Sequence, residues 1–373
     1  MQHIVIIGTG FAGLWSALSA KRLINAQNAQ EAIEVTIISP EPKLVMRPRL
    51  YEPNAKGMIT PLTDLFQKTG IKFIAGTVSK IDVPSRTVEL KHGDTVVYDR
   101  LVLAAGSRLR LPPINGFAEH AFSIDTLDDA STFEAHLENL ASLPPSAARN
   151  IVVVVGGGFT GIEVAAELPA RLRTILGRHQ DVRVVVVERN DEIGPPLGTN
   201  PRPVIERALR EQGVEFKLGG GISSISKTSV ILSTGERIQA ATVLWTAGVE
   251  ASPLTAQISG EKDRLGRIHV DSSLRVPDAA EIFVAGDAAH ADTDGTGHMT
   301  LMSCQHATPL GRFAGYNAAA DLLGLERKEY RQPYYGTCLD LGGWGALVTE
   351  GWERAVMYQG AEAKGIKRWI MGL

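Results

Sequence analysis

Two long apolar runs in the chain are each followed at once by a glycine-rich turn. The first run is Ile4-Val5-Ile6-Ile7, and it leads into Gly8-Thr9-Gly10-Phe11-Ala12-Gly13. The second is Ile151-Val152-Val153-Val154-Val155, and it leads into Gly156-Gly157-Gly158-Phe159-Thr160-Gly161. Continuous β-branched runs of this kind are typical of strands buried on both faces of a parallel sheet. Each pattern therefore predicts a buried strand, a tight turn and a helix.

The spacing of the glycines indicates what each turn binds. The first glycine makes the turn, the second lets the backbone approach a pyrophosphate, and the third lets the helix pack closely on the strand. The N–H groups and the positive dipole end of the helix N-terminus then attract the phosphates. One such turn is a weak signal. Two of them indicate two dinucleotides in one protein, which is the arrangement needed to pass a hydride from one to the other.

The strands that follow the two turn helices end differently. The run 183–187 ends in Glu188, and a carboxylate there can accept hydrogen bonds from the adenosine ribose and repel a 2′-phosphate. Two unit charges about 4 Å apart near a surface interact by roughly 4 kcal/mol, so we expect NADH to be preferred over NADPH. Arg189 could soften that preference. In the first unit the run ends in Ser39 and the usual acid is missing, so either Ser39 or Glu41 is expected at the ribose.

A third signal helps to assign the two nucleotides. The apolar run 281–285 leads into Gly286-Asp287-Ala288, where the acid can accept a ribityl hydroxyl and the following N–H groups can face a pyrophosphate. Two further strands end in small residues and glycine, at Ala105-Gly106 and Ala247-Gly248. Small residues let the backbone cross close to a ligand.

Length and composition agree with a globular protein. A chain of 373 residues predicts two to three domains, and 44% hydrophobic and 21% charged residues are ordinary values. A net charge of −3 gives no indication of nucleic acid as a partner. No apolar run approaches the roughly 18 residues needed to span a bilayer. No signal peptide is recognised, and only 2 cysteines fit a reducing cytoplasm. No metal site is expected, because His290, His298 and His306 do not have ligand spacing.

At this level the chain resembles the two-dinucleotide-binding-domain flavoproteins, and it is most similar to the type II NADH dehydrogenases, the single-subunit NADH:quinone oxidoreductases. Matching stretches include 48–51, 161–168 and 245–254. The resemblance implies an α/β fold with two Rossmann-like dinucleotide-binding domains, FAD on the first turn and NADH on the second. It implies FAD contacts at Gly8, Gly10, Phe11, Ala12, Gly13, Ser39, Glu41, Arg47, Ala105, Gly106, Gly286, Asp287 and Ala288. For NADH it implies Gly156, Gly158, Gly161, Glu188, Ala247 and Gly248.

The resemblance also indicates residues for the reaction. Glu163 matches the family acid that lies near the flavin and nicotinamide. The alternative role for Glu163 is structural, as an acid stabilised in the first turns of a helix. The family's quinone motif, Ala-Gln-x-Ala-x-Gln-Gln-Gly, aligns with 304–311. Gln305 fits and lies with His306 in the stretch expected beside the flavin, but Pro309-Leu310 replace the glutamine pair. A hydrogen-bonded helix histidine is the alternative for His306. Arg47 is either a positive charge near the flavin N1 or a surface arginine.

The expected architecture has an FAD-binding domain formed by 1–110 and 253–325, with an NADH-binding domain over 111–252 inserted in it. A small C-terminal capping region covers 326–373. NADH would pass hydride to the flavin, and the electrons would leave to a quinone-type acceptor. The basic stretch 363–373 either contacts anionic lipid weakly at the inner face of the membrane or is a frayed surface end. The sequence also leaves open whether the protein forms a homodimer.

Three other functions are carried forward as alternatives. One is a sulfide:quinone oxidoreductase-like enzyme, in which Cys304 and Cys338 rather than NADH feed the flavin. Another is an NADH reductase that serves a protein or oxygen. The third is an NADH-sensing flavoprotein of the apoptosis-inducing-factor type. Glu188 and the intact second turn argue against the first, and turnover with NADH and a quinone separates the enzymes from the sensor.

Overall fold

The computed structural model describes residues 1–372; Leu373, the last residue of the predicted C-terminal stretch, lies outside the described residues. The strands are β1 Gln2–Ile7, β2 Ile33–Ser39, β3 Lys43–Val45, β4 Ile59–Pro61, β5 Lys72–Ala75, β6 Val78–Asp82, β7 Thr87–Leu90, β8 Thr95–Val97, β9 Arg100–Leu103, β10 Ser107–Leu109, β11 Ala121–Phe122, β12 Ile151–Val155, β13 Arg183–Val187, β14 Val214–Lys217, β15 Ile222–Ser226, β16 Ser229–Leu232, β17 Arg237–Gln239, β18 Thr242–Trp245, β19 Val249–Ala251, β20 Ile268–His269, β21 Arg275–Val276, β22 Ala279–Val284, β23 Ala289–His290, β24 Gly336–Asp340, β25 Ala346–Glu350 and β26 Ala355–Gly360. The helices are α1 Phe11–Ala26, α2 Thr63–Thr69, α3 Phe117–His120, α4 Leu127–Asn139, α5 Ala147–Asn150, α6 Phe159–Leu176, α7 Arg202–Glu211, α8 Cys304–Leu322 and α9 Ala361–Ile370.

The chain divides into two compact units. The first unit comprises Met1–Val45, Ile59–Arg108 and Val249–Pro333. The second comprises Met46–Met58, Leu109–Gly248 and the chain from Tyr334 onward. Both the short segment 46–58 and the C-terminal region therefore group with the second unit. The domain boundaries expected from the sequence stay a prediction.

The first unit is built on a six-stranded sheet in the order β21-β22-β9-β1-β2-β5. β1 pairs in parallel with β2 and β9, and only the edge pair β21 and β22 is antiparallel. Helices α1 and α8 pack against each other at two glycines. A Cβ added at Gly311 would lie 2.2 Å from the Ala12 carbonyl oxygen, and one at Gly315 would lie 2.0 Å from the Ser16 carbonyl oxygen. Glycine is therefore required at both positions for this close packing.

The second unit is built on a five-stranded sheet in the order β11-β18-β12-β13-β14, in which all pairings are parallel. Every residue of β12 is buried, as the apolar run 151–155 predicts. The three-stranded antiparallel sheet β24-β25-β26 and helix α9 belong to the same unit. Helix α9 packs on this small sheet, so the C-terminal region is folded onto its own unit.

Among residues 1–372, no helix is both long enough and apolar enough to cross a membrane.

Candidate nucleotide-binding and redox site

The first glycine turn joins β1 to α1 and is open only at its middle glycine. Gly8 has a φ of +108°, and a Cβ there would lie 2.5 Å from the Ala104 carbonyl oxygen. A Cβ on Gly13 would lie 1.9 Å from the Gly8 carbonyl oxygen, whereas one on Gly10 would meet nothing within 4 Å. Helix α1, which begins at Phe11, has no side-chain cap and no acid in its first turn. The outer glycines are thus required by the fold, and the turn leaves space and backbone donors for a phosphate.

The second turn joins β12 to α6 and repeats this geometry. Gly156 has a φ of +109°, and a Cβ there would lie 2.9 Å from the Ala247 side chain. A Cβ on Gly161 would lie 1.8 Å from the Gly156 carbonyl oxygen, while one on Gly158 would meet nothing within 4 Å. Helix α6 likewise begins without a side-chain cap or an acid in its first turn. Both turns therefore suit the diphosphate of a dinucleotide. Ala247, which lies against Gly156, is followed by Gly248 with a φ of +77°.

Glu188 lies directly beside the second turn. Its carboxylate is buried, and Oε2 accepts the Gly157 N–H at 2.8 Å. Oε1 accepts the Asn190 N–H at 3.0 Å and the Asn190 side-chain amide at 2.5 Å. These bonds fix the carboxylate at the strand end where a ribose is expected. Asn190 was not anticipated from the sequence, although an amide two residues beyond the acid is a signal that could have been noticed.

The corresponding position in the first unit carries a neutral group. Gly8 N–H donates to the Ile38 carbonyl as Gly156 N–H donates to the Val187 carbonyl, so Ser39 takes the place of Glu188. The Thr9 hydroxyl donates to the Ser39 hydroxyl at 3.0 Å. Glu41, the other candidate, is exposed and forms an ion pair with Lys43 at 2.7 Å. Of the two residues, Ser39 is the one that contacts the turn.

The third sequence signal lies against the first turn. Gly286 and Asp287 form a short 3-10 turn with the buried Ala288, and a Cβ on Gly286 would lie 2.8 Å from the Ala12 side chain. The Ser107 hydroxyl donates to Asp287 Oδ2 at 2.7 Å. Because Ser107 directly follows Ala105-Gly106, three separate stretches of the sequence meet here. Ser107 was missed from the sequence, since its contact with Asp287 spans the whole inserted part of the chain.

Gln305 and His306 open helix α8. The helix N-cap is Ser303, whose hydroxyl accepts the His306 N–H at 3.4 Å. His306 is fully buried, and the Gln305 carbonyl accepts a hydrogen bond from the Gln332 side chain at 3.3 Å. Both residues therefore belong to the first unit, at the helix end that approaches the Gly286 turn.

Ala307 of α8 lies near the Gly286 turn, since a Cβ added at Gly286 would be 3.8 Å from the Ala307 side chain. Pro309 lies inside helix α8, and Leu310 is buried in the core of the unit. The two residues that replace the family's glutamine pair are thus a helix residue without an amide proton and a core residue. Neither offers a polar side chain to an acceptor.

Arg47 belongs to the second unit and is held by an acid. Its guanidinium donates to the carboxylate of Asp125, which also accepts the Leu109 N–H at 2.9 Å. Arg49 forms two hydrogen bonds to Glu52, at 3.0 and 2.9 Å, and this pairing raises the pKa of Arg49. Both arginines thus have a structural partner within the unit. The contact of Arg47 with a flavin, which the sequence left open, stays a prediction.

Glu163 lies in a group of charged side chains that we call the buried charge cluster: Glu163, Asp340, Lys364 and Lys367. Glu163, Asp340 and Lys367 are 8%, 4% and 5% exposed. Lys367 of α9 and the backbone N–H of Asp340 both donate to Glu163 Oε1, the latter at 3.0 Å. Lys364 donates to Asp340 Oδ1 at 2.5 Å, and Lys367 lies 3.8 Å from Asp340 Oδ2. Two acids and two lysines from three elements are therefore joined inside one unit.

The environment of the cluster favours bound protons. Burial raises the pKa of Glu163, and the charge of Lys367 offsets this only in part. Burial lowers the pKa of Lys367, but the charges of Glu163 and Asp340 outweigh it, so the net pKa is raised. Burial also raises the pKa of the neighbouring Cys338 thiol to about 11. The cluster can thus retain a proton, whereas Cys338 is held as the unreactive thiol at neutral pH.

Residues 1–372 contain no group of three or more histidine, cysteine or acidic side chains placed to hold a metal ion.

Each unit thus has an open glycine turn of the dinucleotide-binding type at the carboxyl end of a parallel strand. The family model described as pyridine nucleotide-disulphide oxidoreductase matches residues 2–311, and the chain belongs to this family. An NADH dehydrogenase-like protein of Mycobacterium tuberculosis is 44% identical over 99% of this chain and 93% of its own length. A type II NADH:quinone oxidoreductase of Staphylococcus haemolyticus is 27% identical over 91% of this chain and 88% of its own.

Two solved structures share the fold. The sulfide:quinone oxidoreductase of Aquifex aeolicus has a TM-score of 0.82 at 19% identity, covering 100% of this chain and 90% of its own. NDH2 of Plasmodium falciparum in complex with NADH has a TM-score of 0.80 at 14% identity, covering 99% and 94%. The predicted resemblance and the predicted α/β flavoprotein fold are confirmed, and the family is one of oxidoreductase enzymes that use a flavin and a pyridine nucleotide.

Proposed function

We propose that this protein is an FAD-dependent NADH:quinone oxidoreductase. The observation that carries the proposal is the pair of open glycine turns, one followed by a neutral Ser39 and the other by the acidic Glu188. The relatives named as NADH dehydrogenase-like and as type II NADH:quinone oxidoreductase support it.

The first unit would hold FAD rather than FMN. The turn at Gly10 offers backbone donors to a diphosphate, which FMN lacks. Asp287, oriented by Ser107, offers a carboxylate to a ribityl hydroxyl. When bound, the flavin would supply the chemistry that accepts a hydride from NADH and releases electrons to a second substrate.

The second unit would bind NADH. Gly158 leaves room for the diphosphate, and Glu188 accepts from the adenosine ribose while it repels a 2′-phosphate. Because Asn190 and Gly157 hold both carboxylate oxygens in place, the acid is preorganised for this contact.

The buried charge cluster would serve the NADH half of the reaction, because Glu163 lies in α6, the helix that begins at the second glycine turn. Lys367 and the Asp340 N–H hold its carboxylate in place. The raised thiol pKa of Cys338 weighs against the alternative in which a cysteine thiolate and sulfide feed the flavin.

We also propose a weak peripheral contact of α9 with a membrane surface. Trp369 and Ile370 at its end are 82% and 56% exposed, and Arg368 precedes them. Basic and aromatic residues at a helix end suit the boundary of an anionic bilayer. Co-sedimentation with anionic vesicles should fall when Trp369→Ser and Ile370→Ser are combined. Equal sedimentation of the variant and the wild type would contradict the membrane contact. The expected homodimer and the expected cytoplasmic location stay predictions.

Steady-state turnover tests the proposed function. NADH oxidation should be accelerated by a short-chain quinone, with kcat/KM for NADH well above that for NADPH. Glu188→Gln should narrow the difference in kcat/KM between the two cofactors. The matched control is Glu215→Gln, which changes a half-buried acid of the neighbouring strand that pairs with Arg183. A quinone that leaves the rate of NADH oxidation unchanged would contradict the proposal.

A further inference from the structure

Arg354 lies in the turn between β25 and β26 and is enclosed by aromatic rings. It is 5% exposed. Its guanidinium carbon is 5.0 Å from the ring centre of Tyr335 and 5.5 Å from that of Phe159. Tyr335 in turn stacks on Trp352, with ring centres 4.6 Å apart and planes at 15°. The guanidinium is therefore held by the rings of Tyr335 and Phe159, and Trp352 supports Tyr335 from within the same unit.

The charge of Arg354 has no acid to neutralise it. Among the described residues it forms no ion pair, and its buried Nη1 has no hydrogen-bond partner. The other buried arginines are satisfied: Arg267 pairs with Asp263 at 2.7 Å, and Arg149 donates to three oxygen acceptors. Taking a charge out of water without a partner is strongly unfavourable. An anion that arrives from outside the protein would remove this penalty.

The hairpin turn sets the backbone of Arg354. Its φ is +52°, and its N–H donates to the Gly351 carbonyl at 3.1 Å. Arg86, which closes the turn between β6 and β7, has the same conformation with a φ of +53°. The left-handed backbone therefore belongs to the hairpin, and the observation that points to a ligand is the unpaired charge.

The place where Arg354 is held is the start of the second nucleotide helix. Phe159, which it contacts, is the first residue of α6 and directly follows the open Gly158. The helix N-terminus there has no side-chain cap. The ring contact with Phe159 brings the buried cation to the residue that opens α6, where uncapped helix N–H groups favour a negatively charged ligand and Gly158 leaves space for one.

We infer that Arg354 is a binding residue for the diphosphate of the pyridine dinucleotide. The turn between β25 and β26 would then contribute to the dinucleotide site together with the glycine turn. This inference rests on the proposed function in taking the second turn as the NADH site. A hydrogen bond between charged groups predicts that loss of Arg354 weakens binding by about 10- to 100-fold.

Binding measurements on the protein as purified test this. We expect Arg354→Gln to raise the Kd for NADH and for ADP-ribose, which carries the same diphosphate without nicotinamide, by about 10- to 100-fold. Arg354→Lys should restore part of the affinity, and the Kd of Arg354→Gln should depend less on salt. The matched control is Arg207→Gln, because Arg207 is exposed and lies 5.5 Å from the ring centre of Trp344. It should leave both Kd values unchanged.

Thermal unfolding without nucleotide separates binding from packing. Arg354→Gln should unfold at the wild-type temperature or above it, because it removes an unpaired buried charge. A lowered unfolding temperature with unchanged Kd values would assign the arginine to packing and overturn the inference. So would a loss of NADH affinity with no change for ADP-ribose, which would place the contact at the nicotinamide. If the wild-type protein bound neither ligand, the proposed function itself would fail.

Discussion

The ion pair between Glu163 and Lys367 gives the sharpest test of the buried charge cluster. Replacing Lys367 with methionine keeps the volume of the side chain and removes its charge. Glu163 would then be left buried, with one backbone N–H from Asp340 as its remaining donor. Charges about 4 Å apart interact by about 4 kcal/mol at an effective dielectric constant of 20, and breaking a buried pair from one side costs about 3–5 kcal/mol. We therefore expect Lys367→Met to lower the free energy of unfolding at pH 7 by about 3–5 kcal/mol.

The loss should depend on pH with a definite sign. The pKa of Glu163 is raised in the folded protein, so between its unfolded pKa of about 4.3 and the raised folded value the folded state binds more protons. Stability from this group consequently increases as the pH falls through that window. Without Lys367 the carboxyl takes up its proton at a higher pH. The difference between Lys367→Met and the wild type should therefore shrink as the pH is lowered from 7 toward 5.

Urea unfolding followed by circular dichroism measures both quantities. Arg183→Met is the matched control, because Arg183 pairs with Glu215 at 2.8 Å but on the surface, where such a pair contributes about 1 kcal/mol or less. The double variant Glu163→Gln, Lys367→Met should recover much of the lost stability, since no unpaired charge remains. A loss for Lys367→Met no larger than that for Arg183→Met, or one that does not change with pH, would refute the account of the cluster.

Three further predictions concern the cofactors and the thiols. Gly10→Val should be isolated largely without flavin, because the new side chain occupies the space in which the diphosphate is expected; full absorbance at 450 nm would contradict it. Gly158→Val should keep its flavin and lose measurable NADH binding in a titration, and unaltered affinity would remove the second turn from the NADH site. The double variant Cys304→Ala, Cys338→Ala should keep NADH-driven turnover, while sulfide should fail to bleach the wild-type flavin. Rapid bleaching by sulfide that is lost in the double variant would support the sulfide-oxidising alternative instead.

Features set by neighbouring residues could be predicted from the sequence. The two strand–turn–helix patterns follow from the apolar runs and from glycines whose spacing the helix start requires. Glu188 could be predicted as a site residue because it directly follows a strand whose neighbour in the sheet leads into the glycine turn. That Ser39 stands where an acid is usual could be predicted for the same reason. The structure adds the hydrogen bond between the hydroxyls of Thr9 and Ser39.

Contacts between distant parts of the chain could not be predicted. Glu163 was identified by resemblance, but its partner Lys367 is separated from it by 204 residues. Within its own helix, Lys367 has the pattern of a solvent-exposed basic residue, and its ammonium group is buried against Glu163 of α6 and the ring of Tyr51. Arg354 is a similar case, because a turn arginine gives no local sign that it meets Phe159 at the start of a helix in another part of the chain.

A sequential stopped-flow experiment tests the central claim most directly. The protein is first mixed with one equivalent of NADH and then with a short-chain quinone, oxygen or ferricyanide, while flavin absorbance is followed near 450 nm. The proposed function predicts rapid bleaching by NADH, slower bleaching by NADPH, and recovery that is fastest with the quinone. A flavin that NADH fails to bleach, or a bleached flavin that the quinone reoxidises no faster than oxygen does, would contradict it.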